Sequence, residues 1–221
     1  MFQTIQGDSF DELARENAAH LGDPTSAPDR TGEERASMAQ VVGQARAGDS
    51  QAFSALFQHY NSQICTYLAR LVGNDEVGRD LAQETFLRAW QSLPAIRSDE
   101  HFKPWLFRIA INAAKSHLRQ ARRVLWLPWQ DNESTEASLA QARLEVAGPE
   151  ERTGETECVQ KALAHVAPQS RACLLLQLVA GFSQREVAQT LGISEKSVSA
   201  YVSRGRERFR REYRRLKGAA E

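Results

Sequence analysis

Ser183-Gln184-Arg185-Glu186-Val187-Ala188-Gln189-Thr190-Leu191-Gly192-Ile193-Ser194-Glu195-Lys196-Ser197-Val198-Ser199-Ala200-Tyr201-Val202-Ser203-Arg204-Gly205-Arg206 is the stretch that decides the fold. Ser183 and Glu186 have the spacing of a capping box and start a short helix over 184–191. Gly192 supplies the left-handed conformation of a tight turn. Ser194 then caps a longer helix over 195–216. Ala188 lets the two helices approach closely, and Val187, Leu191, Ile193, Val198 and Val202 form the small core they need. This is a helix-turn-helix whose second helix can enter a major groove. Its outer face offers Glu195, Lys196, Ser199, Ala200, Ser203 and Arg204, with Arg185 on the helix before it. Behind it come Arg206, Arg208, Arg210, Arg211, Arg214, Arg215 and Lys217, offset only by Glu207 and Glu212.

Helices at 157–166 and 169–180, the latter after Pro168, complete this second unit. Upstream, the pattern is helical from about Met38 to Arg123. Asp49 caps a helix with apolar positions Phe53, Leu56, Phe57, Tyr60, Ile64, Tyr67, Leu68 and Leu71, closed by Gly73. A second helix starts near Asn74-Asp75, is expected to bury Val77, Leu81, Phe86, Ala89, Trp90 and Leu93, and stops before Pro94. A third runs from about Pro104 to Arg122, with Trp105, Leu106, Ile109, Ala113 and Leu118 as its buried side. No strand-like alternation competes, so the chain is expected to be all-α, with two small helical domains joined by a flexible acidic linker.

The boundaries follow from composition. Residues 1–37 read as an N-terminal extension, mostly flexible, with one short amphipathic helix capped by Ser9 and stopped at Gly22. Residues 38–123 form the first domain, 124–156 the linker and 157–217 the second domain. Within the linker, Leu125-Trp126-Leu127-Pro128-Trp129 is the one apolar cluster, read as docking on the preceding helix or anchoring a partner. The formal net charge of zero conceals segregation: residues 1–40 carry a balance of −5, 41–123 of +4, 124–158 of −6 and 159–221 of +7. Two basic modules that suit a polyanion alternate with acidic segments that do not.

Several function classes are excluded by what is missing. There is no glycine-rich phosphate loop, no His-Glu-x-x-His, no Gly-x-Ser-x-Gly and no Asp-rich calcium loop, so no enzyme, cofactor or metal is expected. His20, His59, His101, His117 and His165 are scattered. Cys65, Cys158 and Cys173 form neither a disulfide framework nor a metal clip. The first residues show neither a basic nor an apolar leader segment, and no apolar run approaches the ~18–20 residues of a membrane span. A cytoplasmic protein is expected.

The first domain has its own basic face. Lys103, Arg108, Lys115, Arg119, Arg122 and Arg123 occur with no acidic residue between Phe102 and Val124. Lys115, Arg119 and Arg122 share a helix face, with Asn112 one turn earlier and Phe102 and Trp105 at its start. Cations with an amide and aromatics suit backbone neutralisation and contact with exposed bases.

Residues 41–123 and 155–217 resemble the two conserved domains of extracytoplasmic-function (ECF) sigma factors, the group 4 branch of the sigma-70 family. The resemblance is carried by Asp80-Leu81-Ala82-Gln83-Glu84-Thr85-Phe86-Leu87-Arg88-Ala89-Trp90, by Phe102-Lys103-Pro104-Trp105-Leu106-Phe107-Arg108-Ile109-Ala110-Ile111-Asn112, and by the helix-turn-helix. It implies a dissociable RNA polymerase subunit that confers promoter specificity. The helix with Asp80, Gln83, Glu84 and Leu87 would dock on core polymerase. Arg97–Lys103 and the helix after it would capture and melt the −10 element, with Phe102, Lys103, Asn112, Lys115, Ser116, Arg119, Arg122 and Arg123 toward DNA and Trp105 packed in the core. Arg185, Lys196, Ser199, Ala200, Ser203 and Arg204 would face the −35 element. The linker would thread the polymerase cleft, and an anti-sigma factor is an expected partner. The chain departs from the family in having Ser199, Ala200 and Tyr201 where basic residues are usual, and in Ser116. A stand-alone LuxR-like regulator is the rival, because Gly192-Ile193-Ser194-Glu195-Lys196-Ser197-Val198 resembles that class equally; it leaves 41–123 unexplained. A helical interaction protein without a DNA role would leave both basic faces unused.

Overall fold

The computed structural model describes residues 32–96, 101–120 and 154–218, with side chains from Ser37 onward in its first helix. The regular elements among them are all helical: α1 (Gly32–Arg46), α2 (Ser50–Val72), α3 (Asp75–Ser92), a 3-10 turn (Leu93–Ala95), α4 (Phe102–Gln120), α5 (Gly154–Ala164), α6 (Pro168–Leu178), α7 (Gln184–Leu191) and α8 (Glu195–Lys217). The expected helix near Ser9, the linker cluster at 125–129, and Arg97, Arg122 and Arg123 lie outside the described residues.

The caps follow the sequence closely. The Asp49 carboxylate accepts from the Gln51 and Ala52 N–H groups at 2.8 and 3.2 Å, and Gly73 closes α2 at φ 85°. Asn74 accepts from the Val77 N–H at 2.9 Å and opens α3. α2 is the hub of the first unit, packed against α1, α3 and α4. Leu56, Ile64, Tyr67, Leu68, Leu106, Phe107 and Leu118 form its buried centre. α1 begins at Gly32, ahead of the boundary expected at residue 38. Two expected core residues are exposed, Phe57 at 38% and Trp90 at 37%, and Phe53, Val77, Trp105, Ile109, Leu191 and Ile193 are half-buried at the edge of the core. Phe57 packs edge-on against Phe86 and Trp90 against Phe53, each at 4.8 Å between ring centroids. The stripes on α2 and α3 are wider than their mutual contact, so the outermost rings stay in the open.

In the second unit α8 is the long element against which α5, α6 and α7 pack. Ser183 and Glu186 make the capping box reciprocally: Glu186 N–H donates to Ser183 Oγ at 3.2 Å and Ser183 N–H to Glu186 Oε2 at 2.8 Å. Gly192 turns the chain at φ 69°. Ser183→Ala removes one acceptor at this cap and is expected to cost about 1 kcal/mol. The denaturation midpoint should fall, with the native circular dichroism spectrum unchanged.

Cys65, Cys158 and Cys173 are free thiols. Burial pushes Cys65 and Cys173 up from the ordinary thiol value, so both are thiols rather than thiolates at neutral pH. Among the described residues no His, Cys, Asp and Glu cluster could hold a metal, and no helix is long and apolar enough to cross a membrane.

Candidate nucleic-acid interface

α4 is amphipathic because its apolar residues recur every three or four positions. Leu106, Phe107, Ala110, Ile111, Ala113, Ala114 and Leu118 face the core. Arg108, Asn112, Ser116 and Arg119 are exposed on the other side, and Lys115 is half-buried beside them. Arg108, Asn112, Lys115 and Arg119 lie at i, i+4, i+7 and i+11, one continuous stripe. The described part of α4 contains no acidic residue to neutralise it.

Two residues expected on this face are placed otherwise. Phe102 is 2% exposed and packs against Tyr60 and Trp105, with centroids 5.6 and 5.7 Å away. It is a core residue, because the first turn of α4 lies over α2. Lys103 sends its ammonium into the second unit, where Nζ donates to the Ala180 carbonyl at 2.6 Å and lies 4.8 Å from the Phe182 ring centroid. Trp105, expected in the core, is half-buried and packs against its edge.

On the helix-turn-helix, Arg185, Lys196, Ser199 and Ser203 are exposed, whereas Ala200 and Arg204 are half-buried. The Arg204 guanidinium lies 5.1 Å from the Tyr201 ring centroid. Tyr201 itself is buried, so its ring is a platform for Arg204 rather than a reading group. Beside this face an open cleft of about 830 Å³ runs between α6, α7 and α8, lined by Gln177, Gln184, Ser199, Ser203, Arg206, Arg210, Arg211 and Arg214, with Glu207 the one carboxylate among the described residues that line it. Burial, followed by the charge of Arg210, lowers Arg206 from its ordinary value. The cleft continues the exposed serines along α8, a feature legible in the sequence only as a run of arginines. On the opposite side Glu212 is buried and bridges Arg208 at 3.2 Å and Arg215 at 3.0 Å. Those two arginines therefore serve the fold.

On α3, Asp80, Gln83 and Leu87 are exposed, and Glu84, half-exposed, pairs with Arg88 at 2.5 Å. Leu87 is 58% exposed, with the exposed Trp90 one turn later on the same helix. Phe57 and Trp90 were read from spacing as core. Their exposure, which depends on how far apart α2 and α3 sit, has no signal in the sequence.

Two units of this kind, one with a basic stripe and one with a helix-turn-helix, define a bipartite DNA-reading protein. Residues 56–124 match the family model described as Sigma-70 region 2, and residues 156–209 the one described as Sigma-70, region 4. RNA polymerase sigma factor NccH of Alcaligenes xylosoxydans is 32% identical over 173 residues, 76% of this chain and 90% of that protein. RNA polymerase sigma-H factor of Pseudomonas aeruginosa is 30% identical, over 76% of this chain and 89% of its own length. The ECF RNA polymerase sigma-E factor of Escherichia coli is 29% identical over 174 residues, 76% of this chain and 89% of its own. The solved structure of CnrH in complex with the cytosolic domain of CnrY shares the fold, with a TM-score of 0.54 at 22% identity over 78% of this chain and 94% of that one. The chain belongs to the sigma-70 family of RNA polymerase sigma factors, in its ECF branch. It acts as a transcription initiation factor; a stand-alone LuxR-like regulator would not account for the region 2 match.

Proposed function

We propose that the chain binds core RNA polymerase through the outer face of α3 and directs it to promoters whose −10 and −35 elements it reads with its two units. The domains run over 38–123 and 157–217, the linker of 124–156 lies in the polymerase cleft, and the protein acts in the cytoplasm without catalysis of its own. The observation that carries this reading is the stripe of exposed Arg108, Asn112 and Arg119 with half-buried Lys115, along a helix whose other side is core. On α4, Asn112 and Ser116 face the bases, while Lys115 and Arg119 neutralise phosphates. On α8, Ser199 and Ser203 with Arg204 face the −35 element, and Arg206, Arg210, Arg211 and Arg214 supply sequence-independent attraction. Arg185 and Lys196 flank that surface. An anti-sigma factor is the regulator in this reading, and CnrH, which shares the fold, is solved with a second protein, the cytosolic domain of CnrY, bound to it.

Run-off transcription with purified core polymerase and a promoter library tests the reading. Wild-type protein should select a family of promoters that core alone ignores. Changing Lys115 and Arg119 together to Ala should weaken binding alike on all these promoters and lower the salt slope by roughly two units, about one per lost phosphate contact. Promoter-independent output, or a salt slope untouched by the double change, would overturn it.

A further inference from the structure

The basic side chains at the end of α8 divide into two groups. Of the seven from Arg206 to Lys217, Arg208 and Arg215 turn to Glu212, and Lys217 lies 3.9 Å from Glu155. The other four, Arg206, Arg210, Arg211 and Arg214, line the cleft between α6, α7 and α8. Arg206, Arg210 and Arg214 stand at i, i+4 and i+8, so they share one side of the helix over about 12 Å, with Arg211 beside them. Four guanidiniums set against the single carboxylate of Glu207 are unfavourable in a groove that partly excludes water. Arg206 records the cost: burial, and then the charge of Arg210, lowers it from its ordinary value. An anion seated in the cleft would relieve it.

We propose that this cleft is a binding site for a small ligand carrying a chain of condensed phosphates, and that this ligand and the −35 element exclude each other. The second half rests on the reading of α8 as the −35 surface; the first does not.

Size and charge density select the ligand. The cleft, at about 830 Å³, lies inside the range of small-molecule sites, about 300–1,000 Å³. Its lining is polar except for Val202, so an apolar ligand finds little to contact. A duplex backbone spreads its charge over a convex surface, with one phosphate per ~3.4 Å of axis on each strand. Phosphates joined by anhydride bonds carry similar charge in a smaller volume. The guanidinium fork pairs with their oxygens two at a time. Nearer the start of α8 the cleft offers Ser199, Ser203 and Gln184. Gln184 is anchored there, its Nε2 donating to the Glu195 carbonyl at 2.8 Å. A nucleoside attached to the phosphates would meet these hydroxyl and amide groups, whereas a free polyphosphate would leave them to water. Ser199 and Ser203 are also exposed members of the −35 surface, so an occupied cleft blocks it.

Calorimetric titration of the full-length chain with ATP, inorganic tripolyphosphate and inorganic phosphate, in metal-free buffer at about 0.15 M salt, tests the site. ATP and tripolyphosphate should each saturate one site, and inorganic phosphate should not compete with them. Tighter binding of ATP assigns the ligand to nucleotides, and tighter binding of tripolyphosphate assigns it to free polyphosphate. Arg211→Ala with Arg214→Ala, both at exposed positions, should weaken binding about tenfold to a hundredfold, the effect of two charge-assisted hydrogen bonds near the surface. Arg79→Ala with Lys161→Ala removes the same charge outside the cleft and should change it less than about twofold. ATP should also release a labelled duplex carrying the −35 element, at concentrations near its own dissociation constant. No saturable binding of either ligand, no loss in the cleft variant, or equal loss in the control variant would overturn the site. ATP bound with the duplex still in place would overturn the exclusion. A chain that binds no −35 duplex would count against the sigma reading of α8 instead, and the titrations would still decide the site.

Discussion

Gly78→Val is expected to destabilise the first unit by about 3 kcal/mol and Gly78→Ala by at least about 1 kcal/mol. At an ordinary interior helix position the second change would be stabilising, since glycine costs roughly 1 kcal/mol relative to alanine there. Gly78 is different because α3 crosses α2 at this residue. A Cβ built there would lie 2.7 Å from Ala69 Cα, 2.7 Å from Ala69 N and 2.8 Å from Ala69 Cβ. Two of those three atoms are backbone, so no rotamer change relieves the overlap and the helices must move apart. That separation would loosen Leu68, Leu81 and Ala82, all buried along the same crossing. A melting scan should show the loss as a fall of roughly 5–20 °C for a domain of this size. Ala69→Gly should rescue only part of it, because the backbone contacts remain. A melting temperature raised by Gly78→Ala would mean that the two helices do not cross this closely.

Gly78 shows what a sequence withholds. Gly73 and Gly192 could be read in advance, because each follows an apolar periodic run and ends it. Gly78 sits inside such a run, and its reason is a neighbour that precedes it in another helix. The same distinction separates the rest of the fold. Asp49, Asn74, Ser183 and Ser194 act within three residues of themselves, so their caps were legible. The burial of α4 was legible because the 3.6-residue period reports which side faces inward. Phe57 and Trp90 were misjudged because period gives the direction of a side chain and not the depth of what covers it. Packing between the two units was not legible at all. Arg171 and Gln160 look like any polar residues on a helix, and only the fold brings them to the end of α2, where they donate to the Leu71 and Arg70 carbonyls at 3.1 and 3.2 Å.

The candidate site divides in the same way. The α4 stripe and the exposed serines of α8 follow from helical spacing alone. Phe102 and Lys103 do not, since they stand where α4 begins and belong to two environments. One meets the core under that turn, and the other meets the unit beyond it.

Reversing two charges on α3, Asp80→Arg with Glu84→Arg, is expected to abolish co-purification with core polymerase, lowering affinity by at least about a hundredfold. Asp80, Gln83, Glu84 and Leu87 are spaced i, i+3, i+4 and i+7 and so share a face of the helix. On the same side Trp90 follows Leu87 by one turn and Phe57 packs on the neighbouring Phe86, all three of Phe57, Leu87 and Trp90 being exposed, and an uncovered apolar group rimmed by carboxylates and an amide is the form of a protein-docking surface. The packing partners of α3 are α2 and α4, so this face stays open. Placing cations opposite a surface that accepts carboxylates costs several kcal/mol through like-charge contact. The fold should tolerate the change. The Glu84–Arg88 pair it removes is 42% and 48% exposed, and a helical pair of this kind contributes about 0.3–0.5 kcal/mol. Leu87→Ala supplies an independent measure, since it removes apolar contact without altering charge, and should weaken core binding by roughly tenfold if Leu87 is a binding hot spot. Titration of labelled core with the variants, alongside their melting curves, separates docking from stability. Wild-type affinity in the doubly reversed variant would remove α3 as the docking helix and leave the apolar group at Phe57, Leu87 and Trp90 to a different partner.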